Sequence, residues 1–134
     1  MTRQNLAEYR MERAKEILVE AKDSLEQSHF GLAVNRSYYA MFTSARALLA
    51  LEEVDSSKHS GVISLFNQHL VKSGLFPAGF SKFLREAKNI REDADYGDFV
   101  KITRTDAETQ IDRAKEFVAE AERALARIIE SPGG

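Results

Sequence analysis

The chain has 134 residues, a formal net charge of −2 and no cysteine. Its length suits one domain with a single core, and a chain without cysteine forms neither disulfides nor thiolate metal sites. The small net charge excludes a protein that is basic all over, so a polyanion would bind only at a local patch. No apolar run reaches the roughly 20 residues of a membrane span, and the N-terminus lacks the apolar core of a signal peptide, so we expect a cytoplasmic protein without membrane contact.

The composition predicts an all-α fold. Only two prolines and seven glycines interrupt a chain rich in alanine, leucine, glutamate and arginine, which are good helix formers. We expect an up-down helical bundle of about five helices, with residues 1–130 as a single domain and residues 131–134 as a frayed C-terminal tail.

The first helix is predicted from about Asn5 to Gln27, with Asn5 and Glu8 as an N-terminal capping pair. Its apolar residues keep one seam facing a partner helix. The seam, spaced 4-3-4-3-4, consists of Ala7, Met11, Ala14, Leu18, Ala21 and Leu25.

The second helix, predicted from Phe30 to Leu51, is apolar around most of its circumference, which indicates a central helix enclosed by the others. Its main buried stripe is predicted as Val34, Tyr38, Met41, Ala45 and Leu48, flanked by Phe42 and Leu49. Another face carries polar groups, namely Arg36, Tyr39, Thr43 and Arg46. Because a buried arginine needs an anionic partner, this face predicts a charged contact across the bundle.

The third helix is predicted from about Ser57 to Lys72, with Ile63, Phe66 and Leu70 facing inward. Gly74 suits the left-handed position after its end, with Leu75 folding back on Leu70. The letters KHSG at 58–61 fit an anion site at the helix start, but a cap by Ser57 or Ser60 explains the same letters and is the prediction that we favour.

The fourth helix is predicted to begin at Pro77 and to end at Gly97. Its predicted core face contains Phe80, Phe83, Leu84, Ala87, Ile90 and Ala94, and its basic edge contains Lys82, Arg85, Lys88 and Asn89, extended by Arg91. Four carboxylates then crowd its C-terminal end, where the helix dipole disfavours them: Glu92, Asp93, Asp95 and Asp98. We therefore expect Arg36 or Arg46 to pair with one of these acids. The spacing of the acids is not that of a calcium loop, so no metal is expected.

The fifth helix is predicted to open with a capping box from Thr105 to Glu108. It carries the most regular apolar seam of the chain: Ala107, Ile111, Ala114, Val118, Ala121, Leu125 and Ile128. The small-large alternation predicts lengthwise packing on another helix.

Three segments together resemble the HEPN domain family, specifically its small stand-alone prokaryotic members. They are RSYYAMFTSARALL (36–49), KHSGVISLFNQHLVKSGLF (58–76) and REDADYGDF (91–99). The resemblance implies a helical bundle, commonly a homodimer, that is often encoded beside a minimal nucleotidyltransferase and works as its partner, in several cases as a toxin–antitoxin pair. No cofactor is expected. The basic edge of the fourth helix and the polar face of the second suggest in addition a nucleotide or RNA site, for which the candidate residues are Arg36, Tyr39, Arg46, Lys88 and Arg91.

Many HEPN proteins are metal-independent ribonucleases that use an arginine followed, after four to six residues, by a histidine. Arg91 matches this arginine, but no histidine follows it as far as Asp98. The alternative function is thus a ribonuclease in which Arg91 works with Asp95, Tyr96 or a histidine from elsewhere. An aspartate or a tyrosine would need a large pKa shift for proton exchange near neutral pH, which favours a structural or binding role for Arg91 over ribonuclease catalysis. Tyr96 also resembles the tyrosine that the partner enzyme nucleotidylates in some members.

Overall fold

A computed structural model describes residues 2–97 and 100–130. These residues form an all-α helical bundle without a strand, as predicted. The five helices are α1 (Arg3–Glu26), α2 (Phe30–Leu51), α3 (His59–Phe66), α4 (Ser81–Tyr96) and α5 (Arg104–Glu130). None of the helices in the described residues is long and apolar enough to cross a bilayer. The predictions for Asp98 and for the tail at 131–134 lie outside the described residues.

Helix α2 is the centre of the bundle and has the predicted bounds. It packs against α1, α4 and α5, and every residue of its predicted stripe is buried. The nearly continuous apolar surface of α2 follows from these three neighbours, because a helix enclosed on several sides needs more than one apolar stripe. The seam of α5 is also buried from Ala107 to Leu125, as predicted, whereas Ile128 is half-buried.

Two helices begin earlier than predicted, and the caps explain why. The hydroxyl of Thr2 accepts a hydrogen bond from the Asn5 amide at 3.0 Å, so α1 begins at Arg3 and Asn5 is not its cap. At α5, the Thr103 hydroxyl and the Asp106 carboxylate accept reciprocal bonds from each other's backbone amides, at 3.1 Å and 2.9 Å. This capping box takes the place of the predicted one, and the helix therefore starts two residues sooner.

The third helical segment is shorter than predicted. Helix α3 ends at Phe66 and passes into one π-helical turn, Asn67–Val71. Gly74 takes the predicted left-handed conformation, with φ of 82°. Phe76, not Leu75, folds back: its amide donates to the Leu70 carbonyl at 3.0 Å, and Leu75 stays exposed. This bond spans one residue more than a Schellman bond, so the next side chain along the chain becomes the buried one.

Helix α4 begins at Ser81, four residues later than predicted, because Pro77 precedes a short 3-10 turn at Ala78–Phe80. The predicted core residues Leu84 and Ala87 are buried, and Gly97 ends the helix as predicted. Arg91 is buried with them, at i+7 and i+4 from these residues. The helical register therefore places a charged side chain on the core face of α4.

Candidate functional site

Arg91 is the charged residue at the centre of the site. Its side chain is only 9% exposed, and its guanidinium carbon lies 5.1 Å from the ring centroid of Tyr38 and 5.6 Å from that of Tyr39. Its Nη1 donates to Asp95 Oδ2 at 3.4 Å, while its buried Nε has no hydrogen-bond partner among the described residues. Two aromatic faces thus hold the cation in place by cation–π attraction.

The predicted ion pair between α2 and the acidic end of α4 is wrong for the acids that the structure describes. Arg36 pairs with Glu20 of α1 at 3.3 Å, and Arg46 pairs with Asp55, after α2, at 2.9 Å. These carboxylates lie nearer to the polar face of α2 than the acids of α4 do. The contribution of α2 to the acidic end is instead an amide, Asn35 Nδ2, which donates to Asp95 at 3.2 Å.

Two of the acids of α4, Glu92 and Asp95, pair with basic residues of their own helix. Lys88 pairs with Glu92 at 2.8 Å, and Arg91 pairs with Asp95, each one turn apart. Side chains at i and i+4 lie next to each other on a helix surface. A basic turn followed by an acidic turn is therefore sufficient to form these ion pairs. The unfavourable dipole at the C-terminal end is therefore offset locally rather than across the bundle.

The fold brings His59 to the site, although no histidine follows Arg91 in the sequence. His59 is the first residue of α3. The centroid of its imidazole ring lies 4.5 Å from that of Phe42 and 5.7 Å from that of Tyr39. Its Nδ1 lies 3.1 Å from the Tyr38 hydroxyl. Sequence analysis left open a histidine from elsewhere in the chain but did not identify His59, because spacing along one helix carries no information about the start of another. The only available signal was its place in the KHSG segment.

The surroundings of His59 favour its neutral form. Burial lowers the pKa of His59, and the positive charges of Arg91 and Lys88 lower it further. The Glu92 carboxylate acts in the opposite direction but more weakly. Because the ordinary pKa of histidine is already about 6.5, this imidazole is uncharged at neutral pH.

An open cavity of about 650 Å³ lies over this group. It is lined by His59, Ser60, Lys88, Arg91, Glu92, Asp93, Tyr96 and Gly97. Of the predicted candidates, Lys88, Arg91 and Tyr96 thus line one cavity. The ring of Tyr39 packs against the guanidinium of Arg91. Arg36 lies beyond Tyr39, with its guanidinium 5.3 Å from that ring, and Arg46 does not line the cavity.

Neither Ser57 nor Ser60 caps the start of α3, so the predicted serine cap is wrong. Instead, the Ser56 hydroxyl accepts from the Lys58 amide at 3.2 Å, just before the helix. A Cβ added to Gly61 would lie 2.1 Å from that hydroxyl oxygen, so only glycine allows this approach. The close contact fixes the turn that carries His59 and Ser60 to the edge of the cavity.

Comparison with known proteins agrees with this architecture. The family model described as HEPN domain matches residues 7–124. A UPF0332 protein of Thermotoga maritima is 34% identical over 123 residues, which cover 92% of this chain and 93% of the relative. A second UPF0332 protein, from Gloeobacter violaceus, is 37% identical over 87% of this chain and 94% of its own length. A protein of Methanocaldococcus jannaschii, named as a candidate toxin, is 32% identical over 92% of this chain and 89% of its own length. The chain therefore belongs to the HEPN domain family, as its three segments predicted.

Proposed function

We propose that this protein is a toxin-like HEPN protein whose cavity at Arg91 binds a phosphate of a nucleotide or of RNA. We further propose that it acts as a homodimer with a minimal nucleotidyltransferase as its partner. The observation that carries the binding proposal is the Arg91 guanidinium, held on two aromatic rings next to Lys88 and His59 at an open cavity. The toxin-like role is supported by two relatives from Methanocaldococcus jannaschii that are named as candidate toxins.

A phosphate suits the donors at this cavity. Arginine presents several N–H groups in a rigid plane, and lysine adds a mobile positive charge. Their present partners, Glu92 and Asp95, are not fully buried, with side chains 43% and 27% exposed. Exchanging a partly exposed carboxylate for a phosphate oxygen therefore costs little, about 1 kcal/mol or less for each pair.

The rim of the cavity favours a ligand that carries a base. Tyr96 lines the cavity and is 76% exposed, although large aromatic side chains are usually covered. Bases of single-stranded nucleic acids stack on exposed aromatic rings while basic groups follow the backbone. A nucleotide or a single-stranded RNA would satisfy both parts of the site, whereas inorganic phosphate would use only one.

RNA binding measured against salt concentration tests the phosphate site. We expect Lys88→Ala to weaken binding of a single-stranded RNA and to reduce the slope of log K against log salt by about 0.7, the value for one lost phosphate contact. Lys82→Ala is the matched control, because Lys82 lies exposed on the same helix and does not line the cavity. Equal slopes for wild type and Lys88→Ala would contradict a phosphate contact at this lysine.

The partner proposal predicts a modification. When the protein is incubated with a minimal nucleotidyltransferase encoded beside it and with ATP, we expect a nucleotidyl adduct on Tyr96, detected by peptide mass spectrometry. Tyr38 is fully buried and cannot meet an enzyme, whereas Tyr9 on α1 is 64% exposed and serves as the control tyrosine. Tyr96→Phe should remove the adduct and Tyr9→Phe should not. Modification of Tyr9 alone, or of no tyrosine, would count against this role for Tyr96.

One observation favours the alternative, a metal-independent ribonuclease. The imidazole that the sequence lacks after Arg91 is supplied in space by His59, which lines the same cavity. Histidine is the side chain best suited to proton exchange near neutral pH. Whether it works as a base depends on which of its nitrogens carries the proton.

A further inference from the structure

The hydroxyl of Tyr38 is the buried hydrogen-bonding group next to the His59 ring. Tyr38 is 0% exposed, and the hydrogen-bond partner of its hydroxyl among the described residues is His59 Nδ1 at 3.1 Å. Burial raises the pKa of Tyr38, so its hydroxyl keeps its proton. A buried hydroxyl hydrogen without an acceptor is costly, so Tyr38 donates this bond and Nδ1 accepts it.

This assignment leaves one arrangement of the neutral ring. When Nδ1 accepts, the proton of an uncharged imidazole sits on Nε2. Since Nδ1 is engaged with Tyr38, Nε2 is the ring nitrogen that remains for a ligand in the cavity that His59 lines. A ring in this form donates a hydrogen bond from Nε2 and cannot accept a proton there.

We propose that His59 binds the ligand phosphate as a neutral hydrogen-bond donor through Nε2–H, and that Tyr38 is the positioning residue that fixes this tautomer. The inference rests on the proposed phosphate-binding function and adds a third donor beside Arg91 and Lys88. It also separates this protein from a ribonuclease, because a histidine that already carries a proton on Nε2 is not a general base.

The groups around His59 oppose an imidazolium. The polar and charged groups that face it are Tyr38, Tyr39 and Arg46 from α2, and Lys88, Arg91 and Glu92 from α4. Arg91, Lys88 and Arg46 lower the pKa of His59 and Glu92 raises it, and the aromatic ring of Phe42 packs on one side of the imidazole. A proton added at Nδ1 would, in addition, meet the hydroxyl hydrogen of Tyr38. Ligand binding should therefore not depend on protonation of His59.

A spectroscopic measurement tests the tautomer without any ligand. Long-range ¹⁵N–¹H correlation spectra of the free protein at neutral pH should show His59 with a protonated Nε2 and an unprotonated Nδ1. In Tyr38→Phe the hydroxyl is gone, so the two nitrogens should move toward the averaged shifts of a ring that exchanges between tautomers. A wild-type ring protonated on Nδ1, or a ring unaffected by Tyr38→Phe, would overturn the inference.

Binding measurements test the role of the donor. The probe is a single-stranded RNA oligonucleotide, whose phosphodiester charge is constant between about pH 6.5 and 8.5. We expect wild-type affinity to change by less than about twofold over this range, whereas a site that needs an imidazolium loses about tenfold per pH unit above its pKa. His59→Ala should weaken binding about tenfold or more, for one lost hydrogen bond to a charged group. His59→Gln keeps an amide donor and should recover part of the loss. His69→Ala should bind as wild type does, since His69 does not line the cavity.

The outcomes separate this inference from the function on which it rests. Binding that tightens about tenfold per unit of acidification, wild-type affinity in His59→Ala, or metal-free RNA cleavage that His59→Ala abolishes would each overturn the neutral-donor role while leaving an RNA-binding site. Failure of the wild-type protein to bind any RNA or any mononucleotide would overturn the proposed function itself, and the donor role with it.

Discussion

Replacement of Arg91 by alanine should abolish RNA binding and also lower the free energy of unfolding by about 1 to 3 kcal/mol. The binding loss follows because Arg91 is the cavity residue whose guanidinium is held in place before any ligand arrives. The stability loss follows because the side chain is 9% exposed and packs on Tyr38 and Tyr39, so its removal leaves two aromatic faces uncovered. Urea denaturation and RNA binding of the same variant measure the two effects.

Two further variants separate charge from shape. Arg91→Lys keeps the positive charge but loses the planar fork, so we expect RNA binding to weaken while stability falls by less than in the alanine variant. Asp95→Asn removes the carboxylate partner at 3.4 Å and should cost at most about 1 kcal/mol, because the Asp95 side chain is 27% exposed. RNA affinity in Asp95→Asn should be retained or increased, since a competing anion is gone. Unchanged RNA affinity in Arg91→Ala would place the binding surface elsewhere.

Three of the eight residues that line the cavity were candidates predicted from the sequence, and the physical reason is that helical periodicity reports positions along one helix. Lys88, Arg91 and Tyr96 belong to one helix or its end, so their common location follows from the 3.6-residue repeat. Arg36 and Arg46 were placed correctly on one face of α2 with Tyr39, but their partners were predicted wrongly. Which carboxylate approaches a face depends on helix crossing angles and loop paths, and these leave no periodic trace in the chain.

The position of His59 shows again that helical periodicity does not report tertiary contacts. The family pattern places a histidine a few residues after the arginine, on the same chain segment. In this protein the segment between α2 and α3 turns back so that the start of α3 lies against Tyr38 and Phe42, and this brings the imidazole to Arg91 from 32 residues earlier. Two residues far apart in sequence can be neighbours only through tertiary packing, so counting onward from Arg91 could not find it.

The helix caps show where local chemistry was ambiguous. At the start of α5 the chain contains two overlapping capping boxes, in the segment Thr103, Arg104, Thr105, Asp106, Ala107, Glu108. Both satisfy the pattern of a hydroxyl residue followed by an acid three positions later. The structure uses the first box, and the choice changes the helix by two residues without altering its buried seam. Element type was therefore predictable where the exact boundary was not.

The predicted seam of α5 omitted Phe117, although this residue lies in the largest aromatic cluster of the core. A single stripe through Ala114, Val118 and Ala121 assumes one partner helix, but α5 packs against α1 and α2 and also meets the segment from α3 to α4. Its buried face is therefore wider than one seam. Phe117 is 0% exposed, with ring centroids of Phe66 at 5.6 Å and Phe76 at 5.1 Å.

Phe117→Ala should consequently destabilise the protein more than Arg91→Ala does, with a loss of about 3 to 5 kcal/mol in the free energy of unfolding. The cost combines lost burial with a cavity that the neighbouring rings of Phe66, Phe76 and Phe80 cannot fill by small shifts. The control is Tyr9→Ala, an aromatic truncation at a side chain 64% exposed, which should change stability by less than about 0.5 kcal/mol. Urea denaturation of both variants gives the comparison.

The same variant connects the core to the site. Phe66 is the last residue of α3 and touches Phe117, while His59 is the first residue of that helix, two turns away. Loss of the Phe117 ring should therefore increase hydrogen exchange throughout α3 before it does so in α2, and RNA affinity should fall several-fold as the start of α3 loosens. If Phe117→Ala destabilised the protein as expected but left α3 exchange and RNA affinity unchanged, the aromatic cluster would support the bundle without positioning His59.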